Sequence, residues 1–274
     1  MKAFLAFLAW LGSLTLPLCL AGPAQVLPLP QAHAHNDYEH PHPLRDALDR
    51  GFCSVEADVW LVDGQLLVAH DLKDAKPEHT LQALYLDPLR ARVEQGRGRV
   101  FPGGPPLTLL IDVKSDATNT YLAIVAVLQR YEAILTRFRP ERTETNAVTV
   151  VISGNRARGL MAQETLRLAA YDGRLADLDS TASPHFIPLV SDNWTQHFTW
   201  KAGREEGPLP QAQRLKLKQM VERAHQSGRR LRLWGAPDTM AAWKELTDAG
   251  VDLINTDDLE GLSKFLASRV RPGG

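Results

Sequence analysis

Cysteine is almost missing from this chain of 274 residues, which carries only Cys19 and Cys53. Cys19 falls within residues 1–24, which read as a removable secretory leader. Lys2 gives the charged start, residues 3–20 the apolar run, and Ala21, Gly22 and Ala24 the small residues for cleavage. Leu18 stands directly before Cys19, where lipid attachment calls for a small residue, so a lipoprotein signal is disfavoured. A retained membrane anchor is the alternative for the same run, whose length is near the lower limit for a spanning helix. Removal of the leader leaves Cys53 alone, which excludes an intramolecular disulfide and leaves stability to the core. The expectation is export, to the periplasm or outside the cell.

An excess of positive charge is also lacking: 31 Lys and Arg face 32 Asp and Glu, for a net charge of -1. No global field then draws the chain to nucleic acid or to an anionic membrane, so an anionic partner must be met at a local site. Contact with a membrane surface is expected to be transient at most. Internal repeats, low-complexity tracts and a clear linker are absent too, so residues 25–274 read as one domain, expected to act as a monomer. With 44% hydrophobic residues, that length can bury a large core.

What is present is a regular alternation of strand-like and helix-like segments. Strands are predicted at 31–35, 54–61 with a hairpin return at 65–69, 107–113, 147–153, 168–172, 186–191, 230–234 and 253–256. Helical spacing covers 43–50, 81–94, 118–138, 156–164, a short stretch at 175–178, 210–226, 239–249 and 259–268. Gly51, Gly228 and Gly250 follow three of the helices at C-cap positions. Some eight alternations over about 240 residues predict an α/β chain folded as a (β/α)8 TIM barrel rather than an open doubly wound sheet.

A ladder of ionisable residues interrupts the strand-like runs: His35, Glu56 and Asp58, His70, then Asp112 with Lys114. Carboxylates in such runs are costly unless a cation or hydrogen bonds compensate them. Glu56 and Asp58 are two apart and share a face, and Asp112 on the next strand can converge on them. Three carboxylates without a nearby thiol suit a hard divalent ion, Mg2+ or Ca2+ rather than zinc. Lys114 relieves their surplus negative charge. The alternative is a metal-free structural network in which Lys114 pairs with the acids. His35 and His70 end their own strands, as a general base and a general acid on two sides of a reacting centre would. A cation, an ammonium and two imidazoles fit phosphodiester chemistry. In a barrel, the C-terminal strand ends form the reactive rim, where Asn155, Asp172, Asp192, Asn193, Trp234 and Asn255 are also expected.

The ordered segments AHND at 34–37, VEADVWLVDG, VAHD, LLIDVK and WGAPDTMAAWKELTDAGVDLINTDDL resemble the PLC-like phosphodiesterase superfamily. That group includes glycerophosphodiester phosphodiesterases and sphingomyelinase D-type phospholipases. The similarity covers residues 33–262 and is greatest to the family named after a yeast protein of altered mitochondrial inheritance. The resemblance implies His35 and His70 as catalytic histidines, Glu56, Asp58 and Asp112 as metal ligands, and Lys114 as a phosphate contact. It places Trp234 near the head group, although a packing tryptophan is the plainer alternative. Asn36 and Asn255 complete the expected substrate-binding set. His35, Asn36 and Asp37 replace the usual H-R-G opening, so the arginine that would hold phosphate there is absent. The disulfide-clamped loop of venom-type sphingomyelinases is missing as well.

The expected activity is thus metal-dependent cleavage of a glycerophosphodiester or lysophospholipid-like substrate. It would pass through a cyclic phosphate if a neighbouring hydroxyl is the nucleophile. Two other readings stand beside it. His33 and His35 form the H-x-H that opens amidohydrolase metal sites, although Asp172 and Asp192 stand where further histidines would be needed. The other is a non-catalytic barrel that binds a phosphorylated ligand.

Overall fold

The computed structural model describes residues 26–202 and 207–270, and the expected leader lies outside the described residues. The strands are β1 (Leu29–Ala34), β2 (Phe52–Val62), its hairpin return β3 (Gln65–Val68), β4 (Leu107–Val113), β5 (Arg137–Phe138), β6 (Thr143–Glu144), β7 (Val148–Gly154), β8 (Ala169–Gly173), β9 (Leu189–Asn193), β10 (Arg230–Trp234) and β11 (Ile254–Thr256). Eight of them run parallel in the order β10-β9-β8-β7-β4-β2-β1-β11, and β3 pairs antiparallel on β2. A parallel bridge between Arg232 and Leu253 joins the two ends. The expected (β/α)8 barrel is therefore the fold, nearly closed, with β5 and β6 as a separate ribbon.

Period-two alternation places each residue. Along β2, Val55, Ala57 and Val59 turn outward into the core shared with the helices, whereas Ser54, Glu56 and Asp58 turn into the barrel. Each fully buried aliphatic or aromatic side chain of that core contributes about 1.5–3 kcal/mol. Inside the barrel, Leu110, Val151, Ala170, Leu189 and Leu253 make a small apolar plug. Two residues further along their strands come Asp112, Ser153, Asp172, Ser191 and Asn255, so the interior turns polar toward its C-terminal end.

The helices are α1 (Arg45–Leu48), α2 (Asp87–Gln95), α3 (Ala117–Leu128), α4 (Arg158–Gln163), α5 (Trp194–His197), α6 (Gln211–Gln226), α7 (Met240–Ala249) and α8 (Leu259–Arg269). The predicted helix 81–94 splits into a π turn over Gln82–Leu86 and then α2, because Pro88 near the start of α2 has no N–H to continue the ladder backward. The predicted helix 118–138 ends at Leu128; a 3-10 turn follows, and Thr136 then donates to the Val148 carbonyl beside the barrel. The predicted strand 186–191 begins later, at Leu189, immediately after donor-less Pro188. Among the described residues no helix is long and apolar enough to cross a membrane.

Candidate active site

The polar end of the barrel opens into a cavity of about 520 Å3 lined by His35, Glu56, His70, Asp112 and Lys114, with Asn36 and Trp234 at its edge. The structure thus gathers the ladder. Asp58 lies just behind it, fully buried.

Glu56 is the most heavily compensated carboxylate. Its Oε2 accepts from Arg232 Nη2 at 2.5 Å and from His33 Nε2 at 3.1 Å. Burial alone would raise this carboxyl, but the Arg232 guanidinium and His33 outweigh it and hold Glu56 well below the usual carboxylate range. Burial, joined by the Arg232 charge, lowers His33 to about 4. His33 is therefore neutral, with Nε2–H donating to Glu56 and Nδ1 accepting from the Ser54 hydroxyl at 2.7 Å.

Asp58 and Asp112 are compensated on one side only. Asp58 Oδ2 accepts from the Tyr38 hydroxyl at 2.7 Å and from Lys114 Nζ at 3.0 Å, and Asp112 Oδ2 lies 3.3 Å from the same ammonium. The Oδ1 atom of each is buried without a hydrogen-bond partner. Burial and the Glu56 charge push Asp58 up to about 6 and raise Asp112 as well. Glu56, Asp58 and Asp112 each offer an oxygen within 4.8 Å of the others. Lys114 does pair with the acids, but it leaves the two Oδ1 atoms unsatisfied, and such orphaned oxygens carry a penalty that a hard divalent cation would remove. The donor set fits such an ion. Gly154 keeps the place open: its φ is +67°, and a Cβ there would lie 1.8 Å from Asp112 Oδ1.

The two histidines differ in support. His35 Nδ1 lies 2.9 Å from Asp257 Oδ1, and the Asp257 backbone N–H in turn donates to Asp238 Oδ2 at 2.8 Å. Burial lowers the His35 pKa, yet the Asp257 hydrogen bond and the Glu56 charge more than offset it, so the net shift is upward. His70 also lines the cavity and is more than half exposed, carried there by the β2–β3 hairpin, with Asp71 3.6 Å away.

Other expected residues divide. Asn36 adopts a left-handed conformation at φ 45° and holds its Oδ1 3.1 Å from the Tyr38 hydroxyl. Trp234 is exposed at the rim, whereas Trp194, Trp200 and Trp243 are buried packing residues. Asn155 lines the cavity. Asn255, expected against substrate, instead accepts from Arg232 Nε at 2.8 Å through its Oδ1 and so positions that guanidinium. Asp172 is buried beneath the rim, bonded to the Ser153 and Ser191 hydroxyls. Asp192 accepts from the Leu175 backbone N–H, and Asn193 caps α5. The amidohydrolase reading finds no geometry here: His33 spends both nitrogens on Ser54 and Glu56, and among the described residues the carboxylate trio is the cluster that could hold a metal.

Four contributors escaped the sequence reading: Tyr38, Arg174, Arg232 and Asp257. Arg232 carried the ladder's own signature, a charge at an inward position of the apolar run LRLW. Tyr38 lies in a 3-10 turn over Asp37–Glu39 and the other two in loops, with no local signal.

The profile of the AIM6-like phosphodiesterase domain matches residues 23–172, and that of the glycerophosphoryl diester phosphodiesterase family matches residues 230–260. The chain is 28% identical over 270 residues to altered inheritance of mitochondria protein 6 from Eremothecium gossypii, covering 86% of this chain and 69% of that protein. It is 32% identical over 278 residues to the Lachancea thermotolerans protein of the same name, covering 85% and 64%. Among solved structures, a glycerophosphodiester phosphodiesterase from Parabacteroides distasonis matches 88% of this chain and 98% of its own, with a TM-score of 0.51 and 16% identity, a likeness of fold. Since the first profile spans more than half of the sequence, from before β1 into β8, the chain belongs to the AIM6-like phosphodiesterase domain family.

Proposed function

We propose that this protein is a metal-dependent phosphodiesterase that cleaves a glycerophosphodiester or a lysophospholipid-like diester. The observation that carries the proposal is the pair of buried, unpartnered oxygens, Asp58 Oδ1 and Asp112 Oδ1, on two carboxylates that cluster with Glu56 beside a cavity lined also by His35, His70 and Lys114. The family to which the chain belongs supports the reaction class.

Glu56, Asp58 and Asp112 would hold Mg2+, with Ca2+ as the alternative hard ion. When bound, such a cation neutralises charge that develops on the phosphoryl oxygens. Lys114, already fixed between two carboxylates, presents its ammonium to the phosphate from the same side. His35 and His70 both line the cavity, and in this reading one takes the proton of the attacking hydroxyl or water and the other gives one to the leaving oxygen. Asp257 fixes the His35 ring by accepting from Nδ1–H, which leaves Nε2 for the reaction. An attacking hydroxyl that belongs to the substrate itself yields a cyclic phosphate.

Phosphorus NMR on glycerophosphodiesters, lysophospholipids and cyclic nucleotides, with Mg2+, Ca2+ or chelator, tests the proposal. Turnover should require the cation and disappear in His35→Ala and His70→Ala. Unchanged turnover in the double histidine variant, or in chelator, would sink it. No turnover across the panel despite cation binding would favour the non-catalytic barrel. Export remains part of the proposal; mass spectrometry of the secreted or periplasmic protein should find a new N-terminus near residue 25.

A further inference from the structure

The cavity has two chemically different walls. Those formed by the ends of β1, β2 and β4 carry the carboxylates, His35 and Lys114. The wall at the ends of β7 and β8 carries Asn155 and Arg174. Arg174 is anchored from behind, where its Nη1 donates to Asp172 Oδ2 at 3.1 Å and to the Gly173 carbonyl at 2.9 Å. Asp172 in turn is fully buried and accepts from the Ser153 and Ser191 hydroxyls at 2.8 and 2.7 Å. The rest of the Arg174 fork, Nε and Nη2, makes no hydrogen bond among the described residues, and the side chain lines the cavity. Arg232, the other guanidinium at this cavity, differs: it is spent on Glu56 and Asn255.

Arg174 is also set apart from the reacting centre. It follows β8, two places from β4 in the sheet order β4-β7-β8, so its strand end is about 10 Å from that of Asp112 at ordinary strand spacing. A phosphate held at the carboxylates and Lys114 leaves Arg174 facing what is esterified to it. That wall offers the free Nε and Nη2 of a guanidinium, suited to a carboxylate or phosphate group, whereas the Asn155 amide is held by the Lys114 and Ser115 carbonyls at 3.2 and 3.0 Å. It offers no carboxylate to a cationic head group, since Asp172 is buried and Asp192 is turned to the Leu175 backbone.

We propose that Arg174 selects phosphodiesters whose head group carries a second anionic group, a carboxylate or a phosphate, over those with a neutral or quaternary ammonium head. This rests on the phosphodiesterase reading and names its substrate class.

Calorimetry in Mg2+ tests it on the full chain carrying His35→Ala and His70→Ala, so that turnover does not interfere. The ligands are glycerophosphoserine, the monophosphate of glycerophosphoglycerol, glycerophosphoglycerol and glycerophosphocholine. The two diesters with an extra anion should bind about tenfold tighter than the other two, as one charge-assisted contact allows. Arg174→Gln should bring the ratio near one, and Arg174→Lys should keep part of it. Because Arg174→Gln strips a buried carboxylate of its cation, the pair Asp172→Asn with Arg174→Gln repeats the measurement with both charges removed. Equal binding of all four ligands, or a preference that survives in both Arg174→Gln backgrounds, overturns the proposal. The intact protein separates this from the function itself: turnover without preference sinks the selection alone, and preference without turnover sinks the catalytic reading alone.

Discussion

Asp58 and Asp112 stand at paired register positions on neighbouring parallel strands, share the ammonium of Lys114 through their Oδ2 atoms, and each leave Oδ1 buried without a partner. Two carboxyls at one strand spacing repel unless a cation lies between them, and the ammonium meets one side of the pair.

Cation affinity should therefore fall in acid. A metal-bound carboxyl must be ionised, and Asp58 titrates at about 6 when no cation is bound, so at pH 5 about nine-tenths of it is protonated. Calorimetric titration with Mg2+ or Mn2+ should show about tenfold weaker binding at pH 5 than at pH 7.5. Asp112→Asn should weaken binding by at least about tenfold at either pH. Affinity that ignores both changes would remove the metal site.

Gly154→Ala should be as damaging as loss of a ligand. The added methyl group would meet Asp112 Oδ1 at 1.8 Å and the Val113 carbonyl oxygen at 2.4 Å, at a backbone φ of +67°. The left-handed conformation alone costs a non-glycine residue about 1–2 kcal/mol. Thermal unfolding should register that loss, and cation titration of the folded fraction should show weakened binding. A variant that binds as the parent does would mean that the Asp112 oxygen plays no part.

Asp257 acts through His35. Its carboxylate helps hold the His35 pKa above the usual imidazole value, so the associated stabilisation is fully present below about 6.5 and is lost as pH rises through the folded-state pKa. In Asp257→Asn, the His35 titration followed by ring NMR should move to lower pH. Turnover should fall about tenfold or more at nearly constant KM, with partial rescue in Asp257→Glu. An unmoved His35 titration would assign Asp257 a purely structural role.

Asp37 gives stability a pH dependence apart from the chemistry. It is wholly buried, with Oδ2 accepting from the Leu44 backbone N–H at 2.5 Å and the Tyr85 hydroxyl at 3.0 Å, and burial pushes it up to about 6. A raised carboxyl favours the folded state most below its unfolded value, near 3.8, and that advantage declines as pH rises through about 6. The whole term is about 3 kcal/mol. Urea unfolding at pH 5 and pH 8 should show the parent losing a little under half of it, the rest being lost already below pH 5, and Asp37→Asn should lack this part of the dependence. Equal slopes for the two would place the titration elsewhere.

Each of the eight barrel strands was legible because parallel strands, buried on both sides, appear as near-continuous apolar runs. The charges at positions 56, 58 and 112 stood out for the same reason. Helix limits were less legible where Pro88 shortened a helix, or where pairing beside Val148 pulled the 129–138 stretch out of helical register. Within the site, a residue could be read when it broke a local pattern. Asp257 meets His35 across 222 positions of sequence, and Arg174 enters from a loop. The Asp257–His35 contact comes from barrel closure, which no local window contains, while Arg174 is held by Asp172 and Gly173 just before it and breaks no periodic run.

The Glu56–Arg232 contact runs between strands β2 and β10, on either side of the seam that β1 and β11 complete. Every group from His35 to Lys114 proposed for metal binding or catalysis lies in the first 114 residues, yet the guanidinium that bonds Glu56 and the carboxylate that bonds His35 arrive only after residue 230. A fragment that ended with β8 would carry all the chemistry as an inventory and none of it as an active centre. Placement of the last strands against β1 and β2 is therefore what completes the proposed centre.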